Sequence, residues 1–381
     1  MAANGVPMSR ANTGIPGLDE IVGGGIPEHR LYVIEGSAGC GKTTFAFQFL
    51  LEGAARGEQA LFVSFSESED ELRSVAESHG WNLNGPLQFY VPNFAEEGSD
   101  PDRDYTIFEP GEIELNEMMK SLYELIDRLS PRRAVFDSLS EMRLLARDPL
   151  RYRRHVTGLK NFFAKRNCTV IFTDEVTPDR DPQLQSIAHG VISLEQIPRD
   201  YGTVRRRLRL LKLRGSDIRE GFHDFIIRHG GIQVFPTLIA ATYHKDFKRE
   251  KYKSGIEGLD RLVDGGLPRG SSTLIAGPAG AGKSSIACAY AVNAARRNER
   301  SAFFIFEESK ATLMARAAGF GMKLDELVDA GIVMISQVDP AQLSPAQFAH
   351  LVRESVERDG ALLVVIDTLN GYLQSMPDEL D

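Results

Sequence analysis

Two segments of the chain carry glycines, a lysine and a hydroxyl side chain in the pattern G-x-x-x-x-G-K-[ST]. In such a segment the glycines let backbone N–H groups point at phosphate oxygens, and the helix that follows adds the positive end of its dipole. The lysine reaches the β- and γ-phosphates, and the hydroxyl of Thr43 or Ser284 binds Mg²⁺. The two segments therefore predict two sites for a nucleoside triphosphate with Mg²⁺. The residues of the first site are Gly36, Ser37, Ala38, Gly39, Cys40, Gly41, Lys42, Thr43 and Thr44, and those of the second are Gly277, Gly280, Ala281, Gly282, Lys283, Ser284 and Ser285.

Two aspartates are candidates for holding the metal ion, because hydrolysis also needs a carboxylate for Mg²⁺. Asp137 follows the apolar run 134–136, and Asp367 follows the longer run 362–366. Ligands of α/β proteins collect at the carboxyl ends of such strands, so both positions fit a metal ligand. Each aspartate taken alone also fits a turn or a helix cap.

Glutamates stand 25 residues after each of the two lysines and could orient the attacking water. They are Glu67 and Glu308, and Glu307 directly precedes the second one. An acidic residue just past a strand is also common at a helix start. The same spacing in both halves of the chain favours the catalytic role.

An internal repeat explains why these residues occur twice. The segment 13–19 recurs as 254–260, and the same shift of 241 residues relates Lys42 to Lys283 without a gap as far as Gly80 and Gly321. A tandem duplication of one domain is the simplest explanation. We expect a first domain at 1–243, a linker at 244–253 and a second domain at 254–381.

The elements that position these residues are predicted to alternate between strand and helix. Continuous apolar runs separated by helical stretches indicate a parallel sheet buried on both faces, so the fold class is α/β, with tandem, mostly parallel doubly wound sheets. In the first copy the expected strands are 31–35, 60–65, 134–136 and 169–173, and the expected helices are 43–56, 69–79, 114–129 and 152–166. Residues 205–214, 222–228 and 231–235 predict an antiparallel extension of the sheet, and residues 95–112 predict a surface loop.

Composition places the chain among ordinary globular proteins. It has 381 residues, 42% of them hydrophobic and 25% charged, which predicts about two domains. The net charge of -9 argues against a broad surface for nucleic acid, and three scattered cysteines argue against a disulfide framework or a zinc site. Neither a secretory signal nor an apolar run of membrane-spanning length is found, so we expect a cytoplasmic protein without a membrane partner.

Taken together, the motifs resemble the KaiC family of RecA-type P-loop ATPases, which includes circadian clock proteins. The resemblance rests on the two P-loops, the F-E-E at 306–308, the G-G-[IL]-P segments and Lys212-Leu213-Arg214-Gly215-Ser216. It implies binding and hydrolysis of ATP with Mg²⁺, assembly into homo-hexameric double rings, and signalling through protein partners that the sequence does not identify. It also implies that Lys212 and Arg214 reach the γ-phosphate of a neighbouring subunit. The alternative for these two is a basic edge strand.

The chain departs from the family pattern in two places. Ser66 stands where the family usually has a first glutamate, so the first copy is expected to hydrolyse ATP slowly and to hold the ring together. The chain also ends 14 residues past Asp367, whereas the first copy continues for about 110 residues past Asp137. We therefore expect an incomplete second domain with an exposed apolar edge, either because the sequence is part of a longer protein or because this copy is damaged. Autokinase activity has no support in these residues.

Two other functions are compatible with a P-loop. A RecA-type DNA-dependent ATPase of recombination or repair would use the arginines of 199–214 as a DNA-binding surface, but the negative net charge weighs against it. A small-molecule kinase is less favoured still, because the duplicated chain lacks a basic segment that resembles a lid.

Overall fold

The computed structural model describes residues 9–83, 85–92, 110–146, 148–176, 183–199, 202–239 and 250–373. The chain divides into two compact units. Unit 1 comprises residues 1–198 and 204–237, and unit 2 comprises residues 199–203 and 238–381.

Unit 1 is built on one large sheet. The strands of unit 1 are β1 (Arg10–Ala11), β2 (Ile26–Pro27), β3 (Leu31–Gly36), β4 (Ala60–Ser64), β5 (Leu87–Tyr90), β6 (Arg133–Asp137), β7 (Thr169–Glu175), β8 (Gly190–Ile197), β9 (Arg205–Leu213), β10 (His223–Arg228) and β11 (Gly231–Phe235). Among the described residues, nine of these strands pair in the order β11-β10-β9-β8-β3-β7-β6-β4-β5. The six from β8 to β5 are parallel, and β9, β10 and β11 extend them in antiparallel fashion. This confirms the expected doubly wound sheet and its antiparallel extension.

Helices cover both faces of the parallel strands. They are α1 (Leu18–Ile21), α2 (Lys42–Ala55), α3 (Glu69–Ser78), α4 (Pro110–Leu129), α5 (Leu139–Ala146), α6 (Pro149–Ala164) and α7 (Gln183–Ile187). One core lies between the sheet and α2, and a second lies between the sheet and α4, α5 and α6. Burial on both faces is why the central strands are continuously apolar.

The segment 13–19, which defined the repeat, has a structural role. The Asp19 carboxylate accepts hydrogen bonds from the backbone N–H of Thr13 at 3.0 Å and from its hydroxyl at 2.8 Å. Asp260 accepts the same two bonds from Ser254 in the second copy, at 2.7 and 2.8 Å. The aspartate therefore fixes the turn that precedes α1 and its counterpart in unit 2.

Unit 2 repeats part of this arrangement. Its strands are β12 (Lys251–Tyr252), β13 (Leu267–Pro268), β14 (Arg300–Ile305), β15 (Val333–Gln337) and β16 (Ala361–Asp367), and its helices are α8 (Glu257–Leu262), α9 (Lys283–Ala295), α10 (Lys310–Gly319), α11 (Leu324–Asp329), α12 (Pro345–Glu357) and α13 (Leu369–Leu373). Within the described part of the chain, β15, β14 and β16 form a parallel three-stranded sheet that corresponds to β5, β4 and β6. The doubly wound order is thus kept only in part.

Each P-loop is expected to follow a strand, and for the second P-loop this prediction is wrong. Residues 271–278 belong to no strand, and Leu274 is 74% exposed, whereas the corresponding strand β3 is buried throughout. In unit 1, β3 forms its hydrogen bonds with β7 and β8. Counterparts of these two strands are not found among the described residues of unit 2, so this segment has no neighbour with which to pair.

Two further expectations concern the connecting segments. The loop expected at 95–112 lies mainly outside the described residues, but α4 begins at Pro110, so residues 110–112 are helical and not loop. Proline is favoured at the first turn of a helix. Of the expected linker at 244–253, residues 244–249 lie outside the described residues, and Lys251–Tyr252 pairs with Leu267–Pro268. The domain boundaries stay a prediction.

Within the described residues, none of the helices combines the length and the hydropathy that crossing a membrane requires.

Candidate functional site

The first P-loop connects β3 to α2 in unit 1. A Cβ added at Gly36 would lie 2.5 Å from the Leu194 carbonyl oxygen, so only glycine fits where the strand ends. Gly41 has a φ of 106° and directly precedes the helix, which starts at Lys42. The Lys42 ammonium donates to the carbonyl oxygens of Gly36 and Ser37, at 2.9 Å each. The lysine therefore lies across the loop whose N–H groups the sequence assigns to phosphate.

Asp137 lies beside this loop, at the end of β6, as expected from its position in the sequence. The Thr43 hydroxyl donates to Asp137 Oδ2 at 2.7 Å, which joins the start of α2 to the end of the strand. The Thr173 hydroxyl at the end of β7 donates to the other oxygen, Oδ1, at 2.5 Å. Both oxygens of the carboxylate are thus oriented by hydroxyl groups from neighbouring elements.

These side chains fit a magnesium ion. Mg²⁺ prefers oxygen ligands and is usually held by one or two protein groups together with substrate phosphates and water. The Thr43 hydroxyl donates its hydrogen bond to Asp137, which leaves the lone pairs of the hydroxyl oxygen for a cation. No group of three or more histidine, cysteine, aspartate or glutamate side chains within the described ranges could form a metal site without a substrate.

Glu67 lies just past β4, half-buried, with its backbone held in place. The Ser64 hydroxyl donates to the Glu67 carbonyl oxygen at 2.7 Å and accepts from its N–H at 3.0 Å. The Glu67 Oε2 atom is buried without a hydrogen-bond partner among the described residues. Burial, and then the charges of Asp137 and Glu71, raise the pKa of Glu67 above its ordinary value. The structure thus brings Glu67 into the electrostatic range of Asp137.

Lys212 and Arg214 are not brought to the first P-loop of their own chain. Leu213, which separates them, pairs with Gly190 of β8. Gly190 pairs with Tyr32, near the start of β3, whereas the P-loop follows the other end of that strand. The two cations therefore lie at the opposite edge of the sheet from the loop.

Both side chains at this edge donate to backbone carbonyl groups. Lys212 Nζ donates to the Gln185 carbonyl oxygen at 2.7 Å, and Arg214 Nη2 donates to the Ser186 carbonyl oxygen at 3.1 Å. Burial, and then the charge of Arg214, lower the pKa of Lys212. Among the described residues neither cation forms a salt bridge with a carboxylate, so both positive charges are available to an anion.

The arginines that precede Lys212 on β9 have partners within unit 1. Glu195 lies 2.9 Å from Arg207 and 3.6 Å from Arg209. Both guanidinium groups also lie over the Phe222 ring, at 3.8 and 4.9 Å from its centroid. These contacts neutralise part of the surface that a DNA-binding function would use.

The second P-loop has the same local geometry as the first. Lys283 Nζ donates to the carbonyl oxygens of Gly277 and Pro278 at 2.9 Å each, and Gly282 precedes α9 with a φ of 89°. The two glutamates near this loop, however, have partners unlike those of Glu67. Thr368 Oγ1 donates to Glu307 Oε1 at 2.8 Å, and Arg316 Nη2 donates to Glu308 Oε1 at 2.5 Å. Asp367 Oδ2 is buried without a hydrogen-bond partner in the described part of the chain.

Sequence reasoning missed three residues that shape the two sites: Ser64, Thr173 and Arg316. Thr173 lies near the carboxyl end of β7, which runs to Glu175, and a hydroxyl side chain near that end of an apolar parallel strand was the available signal. The position of Arg316 corresponds to Val75 in the first copy, so a comparison of the two copies would have shown that only one has a cation there.

Comparisons with known proteins give a matching family model and several relatives. A family model described as "ATPase: KaiC" matches residues 11–239 and 252–380. The chain is 29% identical to the circadian clock protein KaiC2 of Synechocystis sp., over 95% of this chain and 64% of that protein. It is 30% identical to the circadian clock oscillator protein KaiC of Parathermosynechococcus lividus, over 87% of this chain and 61% of that protein. The chain thus spans less than two thirds of the length of both relatives.

Proposed function

The chain belongs to the KaiC family of ATPases, and we propose that unit 1 binds ATP with Mg²⁺ and hydrolyses it. The observation that carries the proposal is the hydrogen bond from Thr43 to Asp137, which joins the P-loop to the predicted metal ligand at 2.7 Å. In this proposal the loop and Lys42 hold the β- and γ-phosphates. Thr43 and Asp137 would hold Mg²⁺, and the ion would supply positive charge that neutralises the charge developing on the phosphates.

Glu67 has the role of orienting the attacking water. Its Oε2 atom is buried and has no hydrogen-bond partner among the described residues, so it can accept a bond from water. Its raised pKa, caused first by burial, also brings it nearer to neutral pH, which suits a group that exchanges protons. Ser66 replaces the first glutamate of the family pattern, so we expect slow turnover.

Ring assembly would place Lys212 and Arg214 of one subunit at the first P-loop of its neighbour. Their position at the opposite edge of the sheet supports this, because a head-to-tail ring joins opposite edges of successive subunits. There they would stabilise the charge that develops on the γ-phosphate. We propose a homo-hexamer that signals through protein partners in the cytoplasm.

The second P-loop would bind ATP through Lys283 and Ser284, with Asp367 as the metal ligand and Glu307 and Glu308 as the catalytic glutamates. The shared loop geometry supports nucleotide binding. The salt bridge between Arg316 and Glu308 must open before this carboxylate can orient water. We therefore expect hydrolysis to come mainly from unit 1.

Replacing each P-loop lysine tests the proposal. Lys42→Ala, Lys283→Ala and the double variant are compared with wild type for retention of labelled ATP and for release of phosphate with Mg²⁺. We expect Lys42→Ala to remove most of the turnover and the double variant to lose both binding and turnover. Lys160→Ala, outside both P-loops, is the control. Wild-type binding and turnover in the double variant would overturn the proposal.

A DNA-dependent ATPase is not favoured, because both relatives described above are KaiC proteins and the β9 arginines have partners in their own unit. The same assay with added single- or double-stranded DNA at several salt concentrations separates the two functions. We expect turnover that does not change with DNA.

A further inference from the structure

Thr173 is a fully buried threonine near the carboxyl end of β7, next to the strand that carries Asp137. Its hydroxyl lies 2.5 Å from Asp137 Oδ1, a short hydrogen bond to a carboxylate. The other carboxylate oxygen accepts from the Thr43 hydroxyl at 2.7 Å. A single carboxylate is therefore clamped between a residue of the P-loop helix and a residue of the neighbouring strand.

The clamp determines which way the carboxylate faces. An aspartate can rotate about its terminal torsion, which has a broad energy profile. With Oδ1 held by Thr173, Oδ2 is directed at Thr43, where the hydroxyl predicted to bind the metal lies. Some residues hydrogen-bond to a metal ligand without contacting the metal and so orient that ligand. Removing such a residue typically lowers metal affinity or activity by about 10- to 100-fold.

Unit 2 shows the same aspartate without such a clamp. The corresponding residue is Asp367, whose Oδ2 atom is buried and has no hydrogen-bond partner among the described residues. In unit 1 the clamp comes from β7, and the described part of unit 2 has no counterpart of that strand. The two aspartates end similar strands, and they differ in whether a hydroxyl from the next strand holds them.

We infer that Thr173 is a positioning residue that prepares Asp137 for Mg²⁺ in the first nucleotide site. It touches neither the metal nor the nucleotide in this role, and it acts only through the orientation of the carboxylate. The inference rests on the proposed function of unit 1. It requires that the Mg²⁺ dependence of nucleotide binding changes when the hydroxyl is removed while the contacts of the P-loop with phosphate remain.

The test compares Thr173→Val, which removes the hydroxyl at nearly constant volume, with Thr173→Ser, which keeps it. All variants carry Lys283→Ala, so that a fluorescent ATP analogue reports the first site. The matched control is Thr169→Val on the same strand. Thr169 is also buried, but its hydroxyl accepts from the His29 N–H at 3.0 Å, at the other end of the strand.

For Thr173→Val we expect the Mg²⁺ concentration at half-maximal analogue binding to rise about 10-fold or more. Binding without Mg²⁺ should stay at the level of the Lys283→Ala parent, and turnover at saturating Mg²⁺ should recover most of the parent value. Thr173→Ser and Thr169→Val should both keep the Mg²⁺ dependence of the parent. If Thr173→Val does not fold, as judged by the fluorescence of Trp81, Thr173→Ala replaces it.

An Mg²⁺ dependence in Thr173→Val equal to that of the Lys283→Ala parent would overturn the inference, and so would an equal rise in Thr169→Val. Failure of the underlying proposal looks different. In that case the parent protein itself would bind the analogue without any dependence on Mg²⁺, or would not bind it at all. The parent titration therefore separates the two failures.

Discussion

At the scale of single residues, the Glu67 carboxylate combines features that a water-orienting base needs. Its backbone is fixed by Ser64, while its Oε2 atom is buried and has no hydrogen-bond partner among the described residues. Burial, and then the charge of Asp137, raise the pKa of this carboxylate above the value of a solvated glutamate. The nearby exposed glutamate, Glu71, instead uses its carboxylate to cap α3 through Ser68, which lowers its pKa.

The first prediction is that Glu67→Gln lowers ATP turnover by about 10²-fold or more, because an amide cannot act as a base. Retention of labelled ATP should not change, since Lys42 and the P-loop are intact. The variant should unfold at no lower a temperature than wild type, because a raised pKa means that the fold disfavours the ionised carboxylate. An unchanged turnover rate would remove Glu67 from the catalytic role.

The second prediction concerns pH. If turnover needs ionised Glu67, the rate falls as pH falls through the raised pKa, so the acid limb lies above the ordinary glutamate value of 4.5. The charge of Glu71 contributes to this rise, and Glu71→Gln should therefore move the acid limb to lower pH. Glutamine can keep the capping contact with Ser68. The shift should shrink at high salt, and a shift to higher pH would contradict the assignment.

At the scale of elements, a buried arginine ties β6 to the helix on its face. Arg133 is 2% exposed, and its Nε lies 2.6 Å from Glu58 Oε2. Its Nη1 donates to the carbonyl oxygens of Asn12 and Phe49 at 2.7 and 2.8 Å. Since Asp137 lies at the other end of the same strand, this anchor also holds the strand that carries the proposed metal ligand.

The third prediction is that Arg133→Met lowers the free energy of unfolding of unit 1 by about 3 kcal/mol, because it breaks the ion pair of a buried arginine with Glu58 and removes the donor that Asn12 and Phe49 share. Arg132→Met, at an exposed neighbouring position, should have little effect. Urea unfolding followed by Trp81 fluorescence measures the change, since this single tryptophan packs in the core of unit 1. Equal stabilities of the two variants would contradict the argument.

Local sequence patterns predicted most elements of unit 1 but not those that depend on distant partners. The strand β8 was not expected, because it mixes apolar and polar residues, and one of these, Glu195, pairs with Arg207 of the next strand. Residues 271–278 resemble β3 in sequence and still form no strand, because strand formation requires neighbours. The P-loops could be predicted because all their characteristic residues stand within one short run of consecutive positions. The contact of Thr173 with Asp137 spans 36 residues and leaves no local pattern.

At the scale of the whole molecule, the duplicated chain holds two P-loops in different surroundings. In unit 1 the loop follows a buried strand, and its Asp137 has both oxygens bound. In unit 2 the loop follows an exposed segment, and Glu308 is paired with Arg316. The two relatives extend beyond the length that this chain spans, and the asymmetry belongs to residues 1–381.

The last prediction tests whether Arg214 acts on a neighbouring subunit. With Lys283→Ala as background, Arg214→Ala should lower turnover by about 10²-fold, because it removes a cation that stabilises developing charge. Lys42→Ala should be inactive for a different reason, since it lacks the phosphate-binding lysine of the same site. If the subunits form a head-to-tail ring, an equal mixture of the two variants restores complete sites wherever an intact P-loop meets an intact Arg214. Random mixing gives that pairing at about one quarter of the interfaces, so turnover should rise to about that fraction of the parent rate.

The variants are mixed without nucleotide, ATP and Mg²⁺ are added, and light scattering records assembly. Arg30→Ala, an exposed cation that lines the same cavity as Arg214, is the control and should keep the parent rate when measured alone. A mixture that assembles but turns over no faster than the average of its two components would show that Arg214 does not complete a neighbour's site, and a chain that stays monomeric would exclude the ring itself.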